Sequence, residues 1–152
     1  EPLSSTVLNV IPKQKAAPII FTAGVYTGNW APVNALSYES TLASGIYIIG
    51  DSQGTKQPKA GHIGNSEAKV CADAILRTLN GVALYPSPKT NSACYSPVST
   101  TEASWLTAVY EYDSTTQGMV IVGGKPTAGA PTTSDYDKMF SWSGNLFSDT
   151  FA

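Results

Sequence analysis

The sequence predicts an α/β segment over residues 1–81 followed by a small α+β unit over residues 82–152. The first observation behind this fold class is an order of elements. A short apolar run at residues 46–49 leads into a glycine-bearing loop and then into a helix. The second is a change near residue 81, after which two apolar runs and a final helix follow a stretch rich in Pro, Ser and Thr.

Short apolar runs mark the strands expected before residue 46. Residues 7–11 predict a short strand that Pro12 stops. Residues 19–23 form a second apolar run, and glycines and prolines punctuate the loop that follows. Within that loop, residues 32–34 and 38–41 predict short edge strands.

The run at residues 46–49 is β-branched and aromatic, which is typical of a strand buried on both faces. It ends at Gly50 and Asp51, where an open α/β sheet gathers its ligands. Gly50 lets the backbone approach a ligand closely, and the Asp51 carboxylate can accept hydrogen bonds from a sugar-alcohol chain such as the ribityl chain of FAD. An Asp that only caps a turn is the alternative interpretation.

A helix is predicted over residues 66–79, with Asn65 or Ser66 as its cap. Glu67 falls in the first turn, where the helix dipole favours negative charge. The N–H groups of that first turn should point towards the crevice at the strand end. Cys71 lies on the apolar face, where we expect a small buried hydrophobic residue.

The second unit begins with residues 82–104, whose composition predicts a loop. Residues 106–112 and 119–122 predict two antiparallel strands. Ser134 can cap a final helix that runs through an aromatic stretch to Phe151.

Composition excludes several classes of function. Charged residues make up only 13% of the 152 residues, against about 25% in an average domain, which fits an exported or partner-covered protein. The net charge of -2 offers no basic field for nucleic acid. No run approaches the ~20 apolar residues of a membrane span. One His and two Cys argue against a zinc site, so no metal is expected.

Because the chain opens with Glu-Pro and no Met, we expect it to be processed or cut from something longer.

Several segments carry a specific resemblance. Gly-Ile-Tyr-Ile-Ile-Gly-Asp at residues 45–51 resembles the second FAD fingerprint of the two-dinucleotide-domain flavoproteins that include the disulfide reductases. More narrowly, the chain resembles the flavin-binding subunit of flavocytochrome c sulfide dehydrogenase. The segments that carry this likeness keep their order along the chain: residues 7–15, 30–34, 38–40, 58–66 with 69–70, 90–96, 141–142 and 149–151.

The resemblance implies the second half of a Rossmann-like FAD-binding domain over residues 1–81 and that family's carboxyl-terminal α+β domain over residues 82–152. It covers only the last part of the family's subunit, because the Gly-x-Gly-x-x-Gly motif for the ADP half of FAD is absent from this sequence. Gly123 and Gly124 do not replace it, since no suitable helix follows them. We therefore expect an amino-terminal nucleotide-binding part to be supplied from elsewhere.

The resemblance also implies a catalytic role for Cys94. In that family a redox-active disulfide lies above the flavin, sulfide attacks one sulfur, and the other thiolate passes electrons to the flavin. Cys94 matches the cysteine of the carboxyl-terminal part, and its partner would lie outside this sequence. An inert loop thiol, or a disulfide between Cys94 and Cys71, is the alternative.

Further residues are candidates for contact with FAD. Lys59 can place positive charge near the flavin's pyrimidine edge, unless it is a solvated surface lysine. His62 can shuttle a proton, unless it is an ordinary hydrogen-bonding residue. Trp142 can pack near the flavin on the side that faces the cytochrome, unless it is a core aromatic. The full predicted cofactor set is Gly50, Asp51, Lys59, Gly61, His62 and Trp142.

These features predict part of an FAD-dependent sulfide dehydrogenase that passes electrons to a c-type cytochrome in the periplasm. The haem would be on that partner, because the chain has no Cys-x-x-Cys-His. A related sulfide:quinone reductase is one alternative, although no apolar anchor is visible at the carboxyl end. A fragment or interaction module that binds no flavin by itself is the other.

Overall fold

The computed structural model describes residues 6–125 and 127–151, and this part of the chain has an α+β fold. A short helix α1 spans Pro18–Thr22, and a 3₁₀ turn spans Gly50–Ser52. The helices and strands that follow are α2 (Gly61–Leu79), β1 (Lys89–Pro97), β2 (Ala103–Asp113), β3 (Gly118–Lys125) and α3 (Thr133–Phe151). None of the helices in these residues is long and apolar enough to cross a membrane.

The three strands form an antiparallel sheet in the order β1-β2-β3. The hairpin predicted from residues 106–112 and 119–122 is confirmed as β2 and β3. The loop predicted over residues 82–104 is wrong in its middle, because β1 occupies Lys89–Pro97. This strand was missed because its buried positions are polar. Thr90 and Ser92 face inward, so the strand lacks the apolar alternation on which a strand prediction depends.

The outer edge of β1 is covered by α2 instead of a fourth strand. The Asn91 N–H donates to Ser66 Oγ at 3.1 Å, and the Ala93 N–H donates to His62 Nδ1 at 3.0 Å. Side chains of one helix thus take the backbone hydrogen bonds that a neighbouring strand would otherwise take. This contact fixes α2 along the sheet.

Helix α2 begins at Gly61, five residues before the predicted start at residue 66. Asn65 and Ser66 therefore do not cap it; the residue before its first turn is Ala60, which makes no side-chain capping bond. Ile63 is fully buried in the first turn, and this tertiary contact extends the helix through residues of modest helical propensity. Glu67 consequently lies in the second turn and faces inward.

Residues 6–60, the first segment of the described chain, contain isolated β-bridges instead of strands. Residues 7–11 have no regular structure, and residues 19–23 fall mostly within α1. The edge strands predicted at residues 32–34 and 38–41 are present only as isolated bridges, one between Val33 and Ser40 and one between Glu39 and Tyr47.

The buried strand predicted at residues 46–49 is wrong. Tyr47 forms a single bridge, to Glu39, and Ile46 and Ile49 are 46% and 39% exposed. The segment has backbone hydrogen bonds on one side only, through Ile46 O and Ile48 N. A single bridge does not make a ladder, so this extended segment does not form a strand, and its outward side chains stay open to solvent.

Two apolar clusters hold these elements together. One joins residues of the first segment: Ala16, Ile20, Val25, Ala31 and Ile48. The other joins both sides of the predicted boundary at residue 81: Ala35, Ile63, Ala108, Tyr110 and Met119. The boundary itself stays a prediction.

Helix α3 confirms the predicted carboxyl-terminal helix, although Ser134 is not its cap. The Asp135 N–H donates to Thr132 Oγ1 at 3.0 Å, so Thr132 caps the helix. Thr132 also pairs with Ala103 at the start of β2, through two backbone hydrogen bonds. The cap therefore anchors the helix to the sheet.

The irregularity between Val109 and Tyr110 gives a first prediction. A Cβ at Gly124 would lie 2.5 Å from Thr107 O, and the Gly124 φ of +104 disfavours L side chains. We expect Gly124→Ala to lower the free energy of unfolding by about 2–3 kcal/mol, measured by urea unfolding. At Gly123 a Cβ would lie 3.9 Å from Val109 Cβ, so Gly123→Ala is the matched control. An equal effect of both changes would contradict this account.

Candidate functional site

The turn that carries Asp51 lies against the first turns of α2. Gly50 has a φ of +66, and Asp51 is exposed beside it. The helix approaches closely at Gly64, where a Cβ would lie 3.3 Å from Gly50 Cα. The structure thus confirms that Gly50 and Asp51 are next to the helix start, although on a 3₁₀ turn instead of a strand end.

Glu67 holds this turn in place. Its carboxylate accepts the Gly50 N–H at 2.6 Å and Gln53 Nε2 at 2.9 Å, and the residue is fully buried. Burial raises the pKa of Glu67 to about 7, against the lowering effect of these two hydrogen bonds and of Lys59. The prediction for Glu67 was limited to the helix dipole, so its inward position was missed. Its spacing of four residues from Ile63 and from Cys71 was the available signal.

Two glutamines continue this contact to the sheet. The Thr55 N–H donates to Gln53 Oε1, and Thr55 Oγ1 donates to Gln57 Oε1. Gln57 Nε2 then donates to Thr90 Oγ1 in β1. In the described residues, no buried side-chain nitrogen or oxygen lacks a hydrogen-bond partner. A satisfied buried network of this kind fixes one arrangement of the loop.

Lys59 is held by the same loop, so the interpretation as a solvated surface lysine is wrong. Its Nζ donates to Gln53 O at 2.6 Å and lies 4.1 Å from the centre of the Trp30 ring. Burial lowers the pKa of Lys59, and the nearby carboxylates of Asp51 and Glu67 oppose that shift. Lys59 and Asp51 therefore share one local electrostatic environment.

The first turn of α2 presents open backbone N–H groups. No side chain caps the helix, and a Cβ at Gly61 would meet nothing within 4 Å. The N-terminal end of a helix carries partial positive charge and attracts electron-rich or anionic groups. Gly61 is thus accessible for close approach of a ligand.

Cys94 is exposed on β1, at the mouth of an apolar cavity of about 270 Å³. The remaining lining residues come from the loop before α2 and from the sheet: Pro58, Ala60, Ser92, Leu106, Ala108 and Tyr110. Cys71 is buried in α2, and burial raises the pKa of its thiol. Both cysteines are free, so the alternative disulfide between them is not present.

Aromatic rings connect α3 to the sheet and to α2. The Tyr95 and Trp105 rings stack with centroids 5.9 Å apart, and the Tyr95 ring lies 5.3 Å from that of Trp142. Trp142 Nε1 donates to His62 Nδ1 at 3.4 Å. His62 Nδ1 also accepts the Ala93 N–H, so that nitrogen carries no proton in this arrangement. Only Nε2 of His62 remains for a ligand.

The far end of α3 is fixed to α2 by polar contacts. Lys69 Nζ lies 2.6 Å from Asp149 Oδ2, and Asn65 Nδ2 donates to Asp149 and to Thr150, at 3.0 Å each. The hydrogen bond from Lys69 lowers the pKa of Asp149. Between the helices lies a polar cleft of about 300 Å³, which His62 and Trp142 also line.

A comparison with known families bears directly on this region. Residues 86–151 match the profile of the family described as flavocytochrome c sulphide dehydrogenase, flavin-binding. These residues are thus similar to that family. The match spans β1, β2, β3 and α3, and so includes Cys94 and Trp142. The resemblance predicted for residues 7–70 lies outside the matched span and stays a prediction.

The flavocytochrome family is a flavin-binding oxidoreductase family, which agrees with FAD as the predicted cofactor. Its name also denotes a complex with a cytochrome subunit. The predicted site residues divide into two groups around the start of α2. Gly50, Asp51 and Lys59 surround Glu67, whereas His62 and Trp142 line the polar cleft between α2 and α3. Cys94 belongs to neither group, since it lines the separate apolar cavity beside Pro58 and Ala60.

The donor set fits a flavin. The Asp51 carboxylate is exposed and can accept hydroxyl hydrogen bonds, Gly61 leaves open space, and the helix end supplies free N–H groups. The roles of the individual residues stay predictions.

The different exposures of the two thiols give a second prediction. In the folded, reduced protein we expect iodoacetamide to modify Cys94 at least about tenfold faster than Cys71, because only the Cys94 thiol is accessible. Peptide mass spectrometry measures both rates. After unfolding, the two thiols should react at similar rates, which is the control. Equal rates in the folded protein would contradict the burial of Cys71.

Proposed function

We propose that this chain is part of an FAD-dependent sulfide dehydrogenase that oxidises sulfide and passes electrons to a c-type cytochrome. One observation carries the proposal: the segment matched to the sulfide dehydrogenase family presents an exposed thiol, Cys94, close to an open helix start. A thiol that is accessible and next to a cavity can meet a small sulfur nucleophile. Bound FAD would supply a two-electron acceptor beside it.

In the proposed holoprotein, Asp51 accepts hydrogen bonds from the ribityl hydroxyls of FAD. Lys59 contributes positive charge near the pyrimidine edge, where its attraction favours an anionic reduced ring. Gly61 allows close approach to the first N–H groups of α2. Trp142, oriented by its bond to His62, packs on the side that faces the cytochrome. The structure supports each step through the position of the residue.

The proposed chemistry at Cys94 starts from a disulfide between Cys94 and a cysteine from outside the described residues. Hydrosulfide attacks one sulfur, the S–S bond breaks, and a persulfide and a thiolate form. A second hydrosulfide then takes the outer sulfur of the persulfide, leaves as hydrodisulfide, and leaves both cysteines as thiolates. When bound, FAD would accept the two electrons that are released as these thiolates close to the disulfide again.

The remainder of the flavoprotein, including an amino-terminal nucleotide-binding part, completes the proposed site. Residues 46–49 support this, because the backbone hydrogen bonds that join them to residues 38–40 run along one edge only, through Ile46 O and Ile48 N. Ile46 and Ile49 are also exposed. An extended segment with one open edge and exposed isoleucines is suited to join a sheet. In the assembled flavoprotein, residues 1–81 would form the second half of a Rossmann-like domain.

A periplasmic location is part of the proposal, supported by the low content of charged residues. Sulfide:quinone reduction is the alternative reaction. Sulfide-dependent reduction of cytochrome c by the native assembly, compared with quinone reduction, separates the two. The intact mass of that assembly shows whether a companion polypeptide completes the flavin site, and an assembly without flavin absorbance would overturn both reactions in favour of a module that binds no flavin.

Cys94 gives a third prediction. We expect Cys94→Ser to lower sulfide-dependent cytochrome c reduction at least about a thousandfold, because a hydroxyl cannot form the disulfide. Flavin absorbance of the native assembly should not change. Cys71→Ser is the matched control, since Cys71 is buried in α2 away from the cavity. Unchanged turnover of the Cys94 variant would remove Cys94 from the mechanism.

Asp51 gives a fourth prediction. We expect Asp51→Ala to remove a hydrogen-bond acceptor for the ribityl chain and to weaken flavin binding by about tenfold or more. The flavin-to-protein ratio measures the loss of a flavin that is not covalently attached. The visible circular dichroism of the flavin also reports a changed site when the flavin is covalently attached. Asp73→Ala is the control, because Asp73 pairs with Arg77 on α2. Equal spectra for both variants would exclude Asp51 from the flavin site.

A further inference from the structure

Glu67 combines two requirements that conflict. Both carboxylate oxygens face donors, Oε2 the Gly50 N–H and Oε1 the Gln53 amide, so the ionised form satisfies both bonds. The residue is fully buried, however, and burial disfavours the charge. Protonation would turn one of the two acceptor oxygens into a hydroxyl, which is a weaker acceptor, so the bond to that oxygen would weaken or break.

The two donors occupy different places in the site. The Gly50 N–H opens the 3₁₀ turn that carries Asp51. Gln53 is fully buried and connects to Thr55 and to Lys59, so it has other bonds that hold it. Gly50 has no such additional side-chain bond among the described residues. Loss of a Glu67 bond therefore acts most directly on the turn of Asp51.

We propose that Glu67 is a positioning residue whose ionised carboxylate fixes the Gly50–Asp51 turn on α2, so that the geometry at Asp51 changes when Glu67 takes up a proton. The part that concerns bound flavin rests on the proposed function. The part that concerns the turn depends only on the chain's own contacts.

The charged and titratable groups that face Glu67 are few. Lys59 from the preceding loop favours its ionised form, and Asp51 from the 3₁₀ turn opposes it. Tyr38, from the loop before residue 40, is close enough for the Glu67 charge to raise the Tyr38 pKa. The pKa of Glu67 is raised to about 7. The bond between the Gly50 N–H and the Glu67 carboxylate should therefore weaken as the pH falls through that value.

Global stability depends on pH in the opposite direction to the Gly50 bond. The folded chain binds the Glu67 proton more tightly than the unfolded chain, so the free energy of unfolding contributed by this group falls as the pH rises from about 4.5 to about 7. Glutamine at position 67 would offer one acceptor and one donor, as protonated glutamate does. Glu67→Gln therefore imitates the low-pH form at every pH.

The first test follows the Gly50 amide by NMR in ¹⁵N-glycine-labelled native assembly between pH 5.5 and 8.5. We expect the proton shift of Gly50 to titrate with a midpoint near 7 in the unaltered protein. In Glu67→Gln the shift should stay at its low-pH value. Glu39→Gln is the matched control, since Glu39 accepts the Gly45 N–H at 2.7 Å in a separate loop. A Gly50 shift that does not titrate in the unaltered protein would overturn the proposal without reference to any variant.

The second test records the visible circular dichroism of flavin in the complete flavoprotein over the same pH range. We expect a change with the same midpoint in the unaltered protein and in Glu39→Gln, and none in Glu67→Gln. If the circular dichroism of the flavin does not change with pH while the Gly50 shift titrates, the proposed effect of Glu67 on the flavin is overturned. A complete absence of flavin would instead overturn the proposed function, and the Gly50 titration would still decide the role of Glu67.

Discussion

The buried hydrogen bonds from Glu67 through Gln53, Thr55 and Gln57 to Thr90 hold the irregular first segment on the sheet. That segment has bridges but no strands, and one apolar cluster of its own. A loop without regular hydrogen bonds needs side chains to satisfy its buried polar groups. The glutamines supply this, and the position of Asp51 relative to Cys94 therefore depends on polar contacts as much as on apolar packing.

The same arrangement explains why the candidate residues gather at the start of α2. The helix contacts the turn of Asp51 through Gly64 and Glu67, and it contacts the edge of β1 through His62 and Ser66. Its two sides thus orient the acid and the thiol independently. A single rigid helix is a more precise support than two loops would be.

Sequence patterns predicted the elements whose signals are local. The apolar runs of the β2–β3 hairpin and the acidic first turn and aromatic stretch of α3 are such signals, and both elements are confirmed. Strand β1 was missed because Thr90 and Ser92 replace apolar residues at its inward positions and bind other polar groups there. The early start of α2 was missed for a similar reason, since Ile63 and Gly64 are helical because of what packs on them. Of the site, Gly50 and Asp51 came from the residue pattern, and Cys94 and Trp142 came from the resemblance. Glu67 required the three-dimensional contacts.

Residues 46–49 show how a pattern and a structure can disagree for a physical reason. Their β-branched and aromatic composition favours a strand that is covered on both faces, but in this chain only one edge is paired and Ile48 alone is buried. The cost of exposing Ile46 and Ile49 is about 25 cal/mol for each Å² of apolar surface. A second strand would remove that cost and pair the open edge. Because the adjoining Gly50 is already fixed by Glu67, such a strand could join without moving Asp51.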